Sequence, residues 1–190
     1  MTDTISLERP DIRAIEIRIR GTAPLICHKW SDKAKKEMLA RSTKKADKGR
    51  PAKDPEQEYR DSLYVMPDGS YGFPAIAFKA AMVRAGKYVN LPMTFTRGAF
   101  HINGDLIKII GTPHMREDMV RIPMGGADNR FRGEFTEWEV DLPIVYFATA
   151  ISAEQLVNLL MIAGFSVGIG EWRPEKDGQY GTFTIVEEQK

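Results

Sequence analysis

The sequence predicts an α+β domain built on an antiparallel sheet, and three patterns predict it. Residues 15–20 alternate isoleucine with charged side chains, as a half-buried strand does. Two later segments carry apolar residues at helical spacing, and three more apolar segments have the length of strands. The predicted elements lie at 11–21, 75–89, 105–111, 137–149, 152–164 and 181–188. Their order, strand, helix, strand, strand, helix, strand, is the βαββαβ order of ferredoxin-like folds.

The first strand ends at Gly21, and two further helices are predicted between it and the helix at 75–89. Ser31 is a candidate N-cap for a helix that begins with "SDKAKKEMLAR". Asp54 followed by Pro55 has the N-cap and first-turn chemistry of a short helix that runs through Leu63. The polar stretch between these two helices lacks periodicity and predicts a loop.

The helix predicted at 75–89 has an apolar face and a basic side. Phe78 and Met82 lie on the apolar face with two alanines, at positions i and i+4. Lys79, Arg84 and Lys87 fall within about 140° of one another at 100° per residue. This spacing predicts that the three cations share one side of the helix.

The helix predicted at 152–164 is the clearest element of the chain. Ser152 and Gln155 form a capping box, and Gly164 stands where a helix commonly ends. Its buried stripe contains three leucines at 156, 159 and 160. A sheet with the βαββαβ order can leave one face open, and single-stranded RNA binders use such a face.

The length of 190 residues predicts one domain, residues 1–190, with two insertions. The first insertion, 31–72, is basic and partly helical. The second, 112–136, contains the turn "MGGADN" and alternates arginine with apolar residues, which predicts an extended hairpin.

The composition limits the classes of function that are expected for this chain. The mean hydropathy is −0.33, and no apolar run approaches the ~20 residues that span a bilayer, so no membrane partner is expected. The N-terminus lacks a signal-peptide pattern, which predicts a cytoplasmic protein. The single cysteine, Cys27, excludes an internal disulfide and predicts a small buried apolar residue. Three scattered histidines do not have zinc-ligand spacing, so neither a metal nor another cofactor is expected.

A basic block lies at 33–53. This segment contains nine Lys or Arg and only two acidic residues, Glu37 and Asp47, although the whole chain has a net charge of +1. A local excess of positive charge on a mildly acidic body predicts a footprint for a polyanion. The alternative interpretation is a solvated loop, and composition alone does not decide between the two.

The glycine-rich stretch 164–183, "GFSVGIGEWRPEKDGQYGTF", is not a nucleotide fingerprint. A dinucleotide-binding motif follows a strand and opens a helix, whereas this stretch follows a helix, and it lacks the P-loop pattern. Its glycines allow a backbone to approach a ligand closely. Arg173 and Lys176 supply charge, and Trp172 and Tyr180 supply rings for stacking against a base. The alternative is a tight connection whose tryptophan caps the core.

Three segments resemble the RAMP superfamily, the backbone subunits of CRISPR surveillance complexes, whose folds are similar to RNA-recognition motifs. They are "IRIRGTAPL" at the end of the first strand, "GFPAIAFKAAMVRAG" at the first helix, and the glycine-rich stretch itself. The hairpin insertion stands where those subunits carry a protruding thumb. A stand-alone relative encoded by a phage or another mobile element would share these features.

The resemblance implies a protein that binds single-stranded nucleic acid, RNA or DNA, in a groove. Copies would stack side by side along the strand as a homo-oligomer or a CRISPR-like assembly. The residues expected to bind nucleic acid are Lys29, Lys79, Arg84, Lys87, Arg116, Arg121, Arg130, Arg132, Gly168, Gly170, Trp172, Arg173, Lys176, Tyr180 and Gly181.

Three other functions stay open from the sequence. Some members of the superfamily cleave RNA, and His28 and Asp32, after the first strand, are the candidate catalytic residues for a RAMP-type endoribonuclease. Both residue types also suit plain structural roles, Asp32 in the first turn of a helix. The chain would alternatively dock on or mimic a CRISPR complex through protein contacts, or assist phage recombination or single-strand annealing.

Overall fold

The computed structural model describes residues 9–29, 54–122 and 126–186, and all structural statements below concern these residues. The helix predicted from Ser31, the basic block 33–53 and the candidate Asp32 lie outside them. Within the described ranges, no helix is both long and apolar enough to cross a bilayer.

Ten strands and four α-helices lie in the described ranges. The strands are β1 (Ile12–Gly21), β2 (Leu25–Cys27), β3 (Tyr64–Val65), β4 (Tyr71–Pro74), β5 (Phe100–Ile102), β6 (Leu106–Lys108), β7 (His114–Ile122), β8 (Gly126–Phe135), β9 (Glu139–Phe147) and β10 (Phe183–Ile185). The helices are α1 (Pro55–Ser62), α2 (Ala75–Ala85), α3 (Met93–Ala99) and α4 (Ala153–Ser166). Two short 3₁₀ turns lie at Gly86–Val89 and Pro174–Lys176.

The central sheet has the strand order β10-β1-β9-β5, and every neighbouring pair is antiparallel. Helix α2 lies between β1 and β5 along the chain, and α4 lies between β9 and β10. This order of strands and helices is the ferredoxin-like βαββαβ arrangement. The α+β fold class predicted from the sequence is therefore confirmed.

The core lies between one face of this sheet and helices α2 and α4. Ile17 and Ile19 of β1 are buried, as the alternation in the sequence predicts, and Phe78 and Leu160 supply the helical side. The capping box of α4 is present, with Ser152 Oγ accepting from the backbone N–H of Gln155 at 3.2 Å. The opposite face of the sheet carries ion pairs such as that between Arg18 and Asp141, so these cations are already neutralised.

The second strand of the central sheet is not the one predicted at 105–111. That role belongs to β5, and β6, inside the predicted segment, pairs instead with β4 in a separate sheet of order β3-β4-β6. A three-residue strand is too short to show an alternating pattern, and it directly follows α3, a helix that the sequence analysis did not predict. The more apolar segment nearby was therefore the stronger sequence signal.

A third sheet, of order β2-β8-β7, carries the long antiparallel hairpin β7–β8 within the segment 112–136. Helix α1 is fixed to one face of it, because the N–H of Gly133 donates to Ser62 Oγ at 2.7 Å. A Cβ at Gly133 would lie 2.2 Å from a methyl carbon of Leu63, so this contact requires glycine. Cys27 of β2 is buried as predicted, and burial raises the pKa of its thiol to about 12.

Candidate nucleic-acid interface

The glycine loop, residues 167–182, joins α4 to β10 and packs on the end of β2. Gly168, Gly170 and Gly181 have φ of +68°, +78° and +65°, a conformation that favours glycine. The Gly181 N–H donates to Pro24 O at 2.8 Å, and the Ile169 N–H donates to Gly181 O at 3.0 Å. These glycines thus allow close contact between two segments of the chain. Their predicted contact with a ligand stays a prediction.

Trp172 and Tyr180 of the glycine loop lie against each other and against the hairpin. Their ring centroids are 6.0 Å apart at an interplanar angle of 60°. The guanidinium carbon of Arg116, on β7, lies 4.8 Å from the Tyr180 ring centroid and 5.4 Å from that of Trp172. A cation over an aromatic ring is attracted by the negative face of the ring. The two rings predicted to stack on bases therefore hold an arginine in this structure.

One face of the hairpin turns toward the glycine loop. We call it the inner face. Residues two apart on a strand share a face, and Arg116 on β7 pairs with Arg132 on β8, so the register shows which residues lie on the same side of the hairpin. The name is kept for His114, Arg116, Asp118, Arg132 and Glu134, which contact one another or the glycine loop. Arg130, opposite Asp118 in the register, also lies on this face of the hairpin.

Asp118 bridges two arginines of the inner face. Its Oδ1 accepts from Arg116 Nε at 2.8 Å, and its Oδ2 accepts from Arg132 Nη1 at 3.3 Å. Arg132 is only 2% exposed, and its Nε has no hydrogen-bond partner within the described ranges. The Trp172 ring covers this guanidinium at 5.8 Å. Arg132 is thus a buried cation with one carboxylate partner and one unused donor.

Arg116 forms two further hydrogen bonds. Its Nη1 donates to Glu134 Oε1 at 2.7 Å, and its Nη2 donates to the Tyr180 hydroxyl at 3.2 Å. Burial lowers the pKa of Arg116, but the hydrogen bonds to Asp118, Glu134 and Tyr180 more than offset that effect, so its pKa lies above the ordinary value. The guanidinium stays charged and ties the hairpin to the glycine loop.

A second carboxylate, Glu175, bridges another pair of arginines. Its Oε1 lies 2.6 Å from Arg84 Nε, at the end of α2, and its Oε2 lies 3.0 Å from Arg173 Nη2. Arg173 Nη1 also donates to the Gly170 carbonyl at 3.0 Å. Two cations predicted to contact the nucleic-acid backbone are therefore adjacent, and they share one negative charge.

His28, directly after β2, pairs with Glu171 of the glycine loop at 3.1 Å between Nδ1 and Oε1. The hydrogen bond from His28 lowers the pKa of Glu171 below its ordinary value, against the effect of burial, and the charges of Arg132 and Arg173 act in the same direction. Glu171 is thereby held ionised. A similar pair lies at the other end of the inner face, where His114 Nε2 is 3.1 Å from Glu134 Oε2.

The other predicted cations do not join this cluster. Lys79 Nζ lies 3.0 Å from His101 Nδ1, and Lys87 lies over the Tyr88 ring at 4.8 Å. Helix α2 ends at Ala85, so the helical angle that placed Lys87 beside Arg84 does not apply to it. Arg121 lies at the far end of the hairpin, opposite Ala127. Arg130 lies opposite Asp118 in the register, and it forms a long ion pair of 3.7 Å with Asp128.

Four carboxylates organise the site without having been predicted from the sequence, namely Asp118, Glu134, Glu171 and Glu175. One signal was available for the first two. Arg116 and Asp118 alternate on one strand, as do Arg132 and Glu134 on the next, so a paired hairpin places opposite charges side by side. Within the described residues, no group of three His, Cys, Asp or Glu side chains is arranged to hold a metal ion.

Comparisons with known proteins give distant structural likenesses. No protein-family model matches the chain. No curated protein matches it. Among solved structures, the chain is similar to Cmr6 from Pyrococcus furiosus, with 11% identity, 93% of this chain and 99% of that chain covered, and a TM-score of 0.49. It is also similar to Cas6 in a product complex, with 13% identity, 90% and 51% coverage, and a TM-score of 0.29. The assignment of the fold rests on the strand order described above.

Proposed function

We propose that this chain binds single-stranded nucleic acid along the wall formed by the inner face and the glycine loop. The observation that carries the proposal is the position of Arg116, stacked on Trp172 and Tyr180 and hydrogen-bonded to the hairpin. This contact joins two segments that are 64 residues apart at Arg116 and Tyr180 but were both expected to bind nucleic acid. Arginines beside flat rings are the side chains that grip phosphates and stack on bases.

The charges of the wall limit how strongly it binds. Asp118, Glu134 and Glu175 already neutralise much of the charge on Arg84, Arg116, Arg132 and Arg173. Lys29 and Lys176 form no ion pair with any residue that the structure describes, and Arg130 has only its long pair. We therefore expect three to four phosphates to be neutralised, and base stacking to supply a large share of the affinity.

Titration of a labelled single-stranded oligonucleotide at several salt concentrations tests the proposal. We expect log K to fall with log salt at a slope of about −2 to −3, which corresponds to three or four phosphates on a single strand. The double variant Arg173→Ala with Lys176→Ala should bind more weakly and show a shallower slope, because it removes Lys176, a cation of the wall without an ion pair among the described residues, together with Arg173, whose charge is shared with Glu175.

Lys108→Ala is the matched control, since this lysine lies in the β3-β4-β6 sheet and pairs only distantly, at 3.7 Å, with Asp68. It removes the same kind of charge outside the wall and should leave binding near the wild-type level. No binding at low salt, or a salt-independent affinity, would contradict the proposal.

The resemblance to the RAMP superfamily supports a further part of the proposal, that copies of the chain associate side by side along one strand, alone or in a CRISPR-like assembly. Strands of increasing length distinguish this arrangement in the same titration. Side-by-side association gives a cooperative transition on long strands that is missing on a strand long enough for one copy.

A second candidate function, RNA cleavage, is favoured by the pair of His28 and Glu171. A carboxylate that accepts from Nδ1 orients an imidazole and leaves Nε2 to take or give a proton. His28 is partly exposed, and Arg132, whose charge acts on Glu171, lies beside the pair. The arrangement suits a general base for the 2′-hydroxyl of RNA, with Glu171 as its positioning residue.

Incubation with labelled single-stranded RNA decides between binding and cleavage. If His28 acts as the base, we expect slow cleavage that His28→Ala reduces by about 10²–10⁴-fold and that a strand without 2′-hydroxyls escapes. His101→Ala is the control, because His101 is an exposed histidine of β5 that contacts Lys79 instead. Intact RNA, or equal cleavage by both variants, rules out this activity at His28.

A further inference from the structure

We propose that Arg84 and Arg173 form a seat for one phosphate of the bound strand, and that the Glu175 carboxylate occupies this seat in the free protein. This inference rests on the proposed binding function and names a site within it. The two guanidinium groups come from different elements, the last turn of α2 and the glycine loop, and Glu175 is the group that they share.

The geometry of the seat is that of an anion held by two arginines. Three guanidinium nitrogens lie within ion-pair distance of the two carboxylate oxygens: Arg84 Nε at 2.6 Å from Oε1, Arg173 Nη2 at 3.0 Å from Oε2, and Arg173 Nε, which donates a hydrogen bond, at 3.1 Å from Oε2. A phosphodiester presents two equivalent anionic oxygens, as a carboxylate does, and guanidinium groups hold either ligand through paired N–H donors. A phosphate therefore fits the donors that Glu175 now fills.

The seat is preorganised for such an exchange. Arg173 is anchored independently of Glu175, because its Nη1 donates to the Gly170 carbonyl at 3.0 Å. Asp118 makes a similar bridge between Arg116 and Arg132, but it is buried and forms part of the packed inner face. Glu175 is 23% exposed and lies on a three-residue 3₁₀ turn at the surface, so it can rotate into solvent without opening the fold.

The seat lies next to the aromatic pair that is proposed to stack on bases of the bound strand. Trp172, whose ring faces Arg116, directly precedes Arg173 in the chain. A base against the aromatic pair and its phosphate at the seat would then contact adjacent residues of one loop. Glu175 competes with the phosphate for the same donors, so it lowers the affinity of the free protein for the strand.

Glu175→Gln tests the inference, because it keeps the size of the side chain and removes the competing charge. We expect the variant to bind a single-stranded oligonucleotide about tenfold more tightly at low salt, as one charge-assisted contact becomes available. The salt slope should steepen by about 0.7, the contribution of one additional phosphate on a single strand.

Two further variants separate this effect from a change in net charge. Glu137→Gln makes the same charge change at an exposed residue of the β8–β9 turn that has no ion pair within the described ranges, and it should bind like the wild type. Glu175→Gln combined with Arg84→Met should lose the gain, because the seat then lacks one of its two guanidinium groups.

The outcomes distinguish the seat from the proposed function. If the wild type binds and Glu175→Gln binds no more tightly than Glu137→Gln, the seat is wrong and the binding function stands. If neither the wild type nor Glu175→Gln binds at low salt, both are wrong. If the wild type binds and Glu175→Gln binds more tightly in a way that depends on Arg84, the result supports both the seat and the binding function.

Discussion

We expect Asp118→Ala to lower the free energy of unfolding by about 3–5 kcal/mol, the usual cost of removing one partner of a buried ion pair. The physical reason is Arg132, which is 2% exposed and has Asp118 as its only carboxylate partner among the described residues. Without Asp118, a buried guanidinium would stay charged with no negative group in contact. Urea denaturation followed by circular dichroism measures the loss.

Replacing the cation should have a different effect from replacing the anion. Arg132→Met removes the buried charge and keeps an unbranched side chain of similar length. Removing one partner of a buried ion pair is costly when it leaves the other charge unpaired. Asp118 then retains Arg116, which lies 2.8 Å away, as its partner. We expect this variant to be about as stable as the wild type, within about 1 kcal/mol.

Asp105→Ala is the matched control for Asp118→Ala. Asp105 is exposed and forms no ion pair in the described part of the chain, so its replacement should change stability by no more than about 0.5 kcal/mol. If Asp118→Ala were as mild as this control, the arginine pair of the inner face would not be buried as described. Weaker oligonucleotide binding by a stable Arg132→Met variant would indicate that the buried arginine serves function.

The second large effect is expected at Gly181, where alanine should cost about 3 kcal/mol or more of unfolding free energy. Gly181 has φ of +65°, and a Cβ there would lie 1.8 Å from the Ile169 carbonyl oxygen. That oxygen belongs to the backbone of the same loop, so neither group can move without disturbing the contact with β2. The variant should also lose nucleic-acid binding, since the loop positions Trp172 and Tyr180.

Gly69→Ala separates the two contributions to this cost. Gly69 has a φ of +81°, but a Cβ there meets no atom within 4 Å. Its replacement by alanine should therefore lower the free energy of unfolding only by the cost of the left-handed backbone conformation, about 1–2 kcal/mol. Equal destabilisation at the two positions, measured by urea denaturation, would show that the glycine loop tolerates the extra carbon and is looser than its contacts indicate.

The sequence by itself determined the two main helices and the long strands, because each of these elements repeats its pattern over several turns or alternations. The capping box at Ser152 and the isoleucines of β1 are examples, and both lie in the structure as the pattern predicts. The order of these elements was enough to predict the ferredoxin-like class. Local propensity did not identify β5, since a strand of three residues directly after a helix is too short to show a period.

Tertiary structure alone decided which charges meet. Arg84 and Glu175 are 91 positions apart, and Arg116 and Tyr180 are 64 apart, so no local pattern couples them. The sequence identified the arginines and the rings as candidates, and the hairpin pattern placed Asp118 and Glu134 near arginines, but no pattern predicted the bridge by Glu175 or the stacking of Arg116 on the rings. Coulomb interactions and stacking act over a few ångströms, and the folded sheet and the glycine loop set those distances.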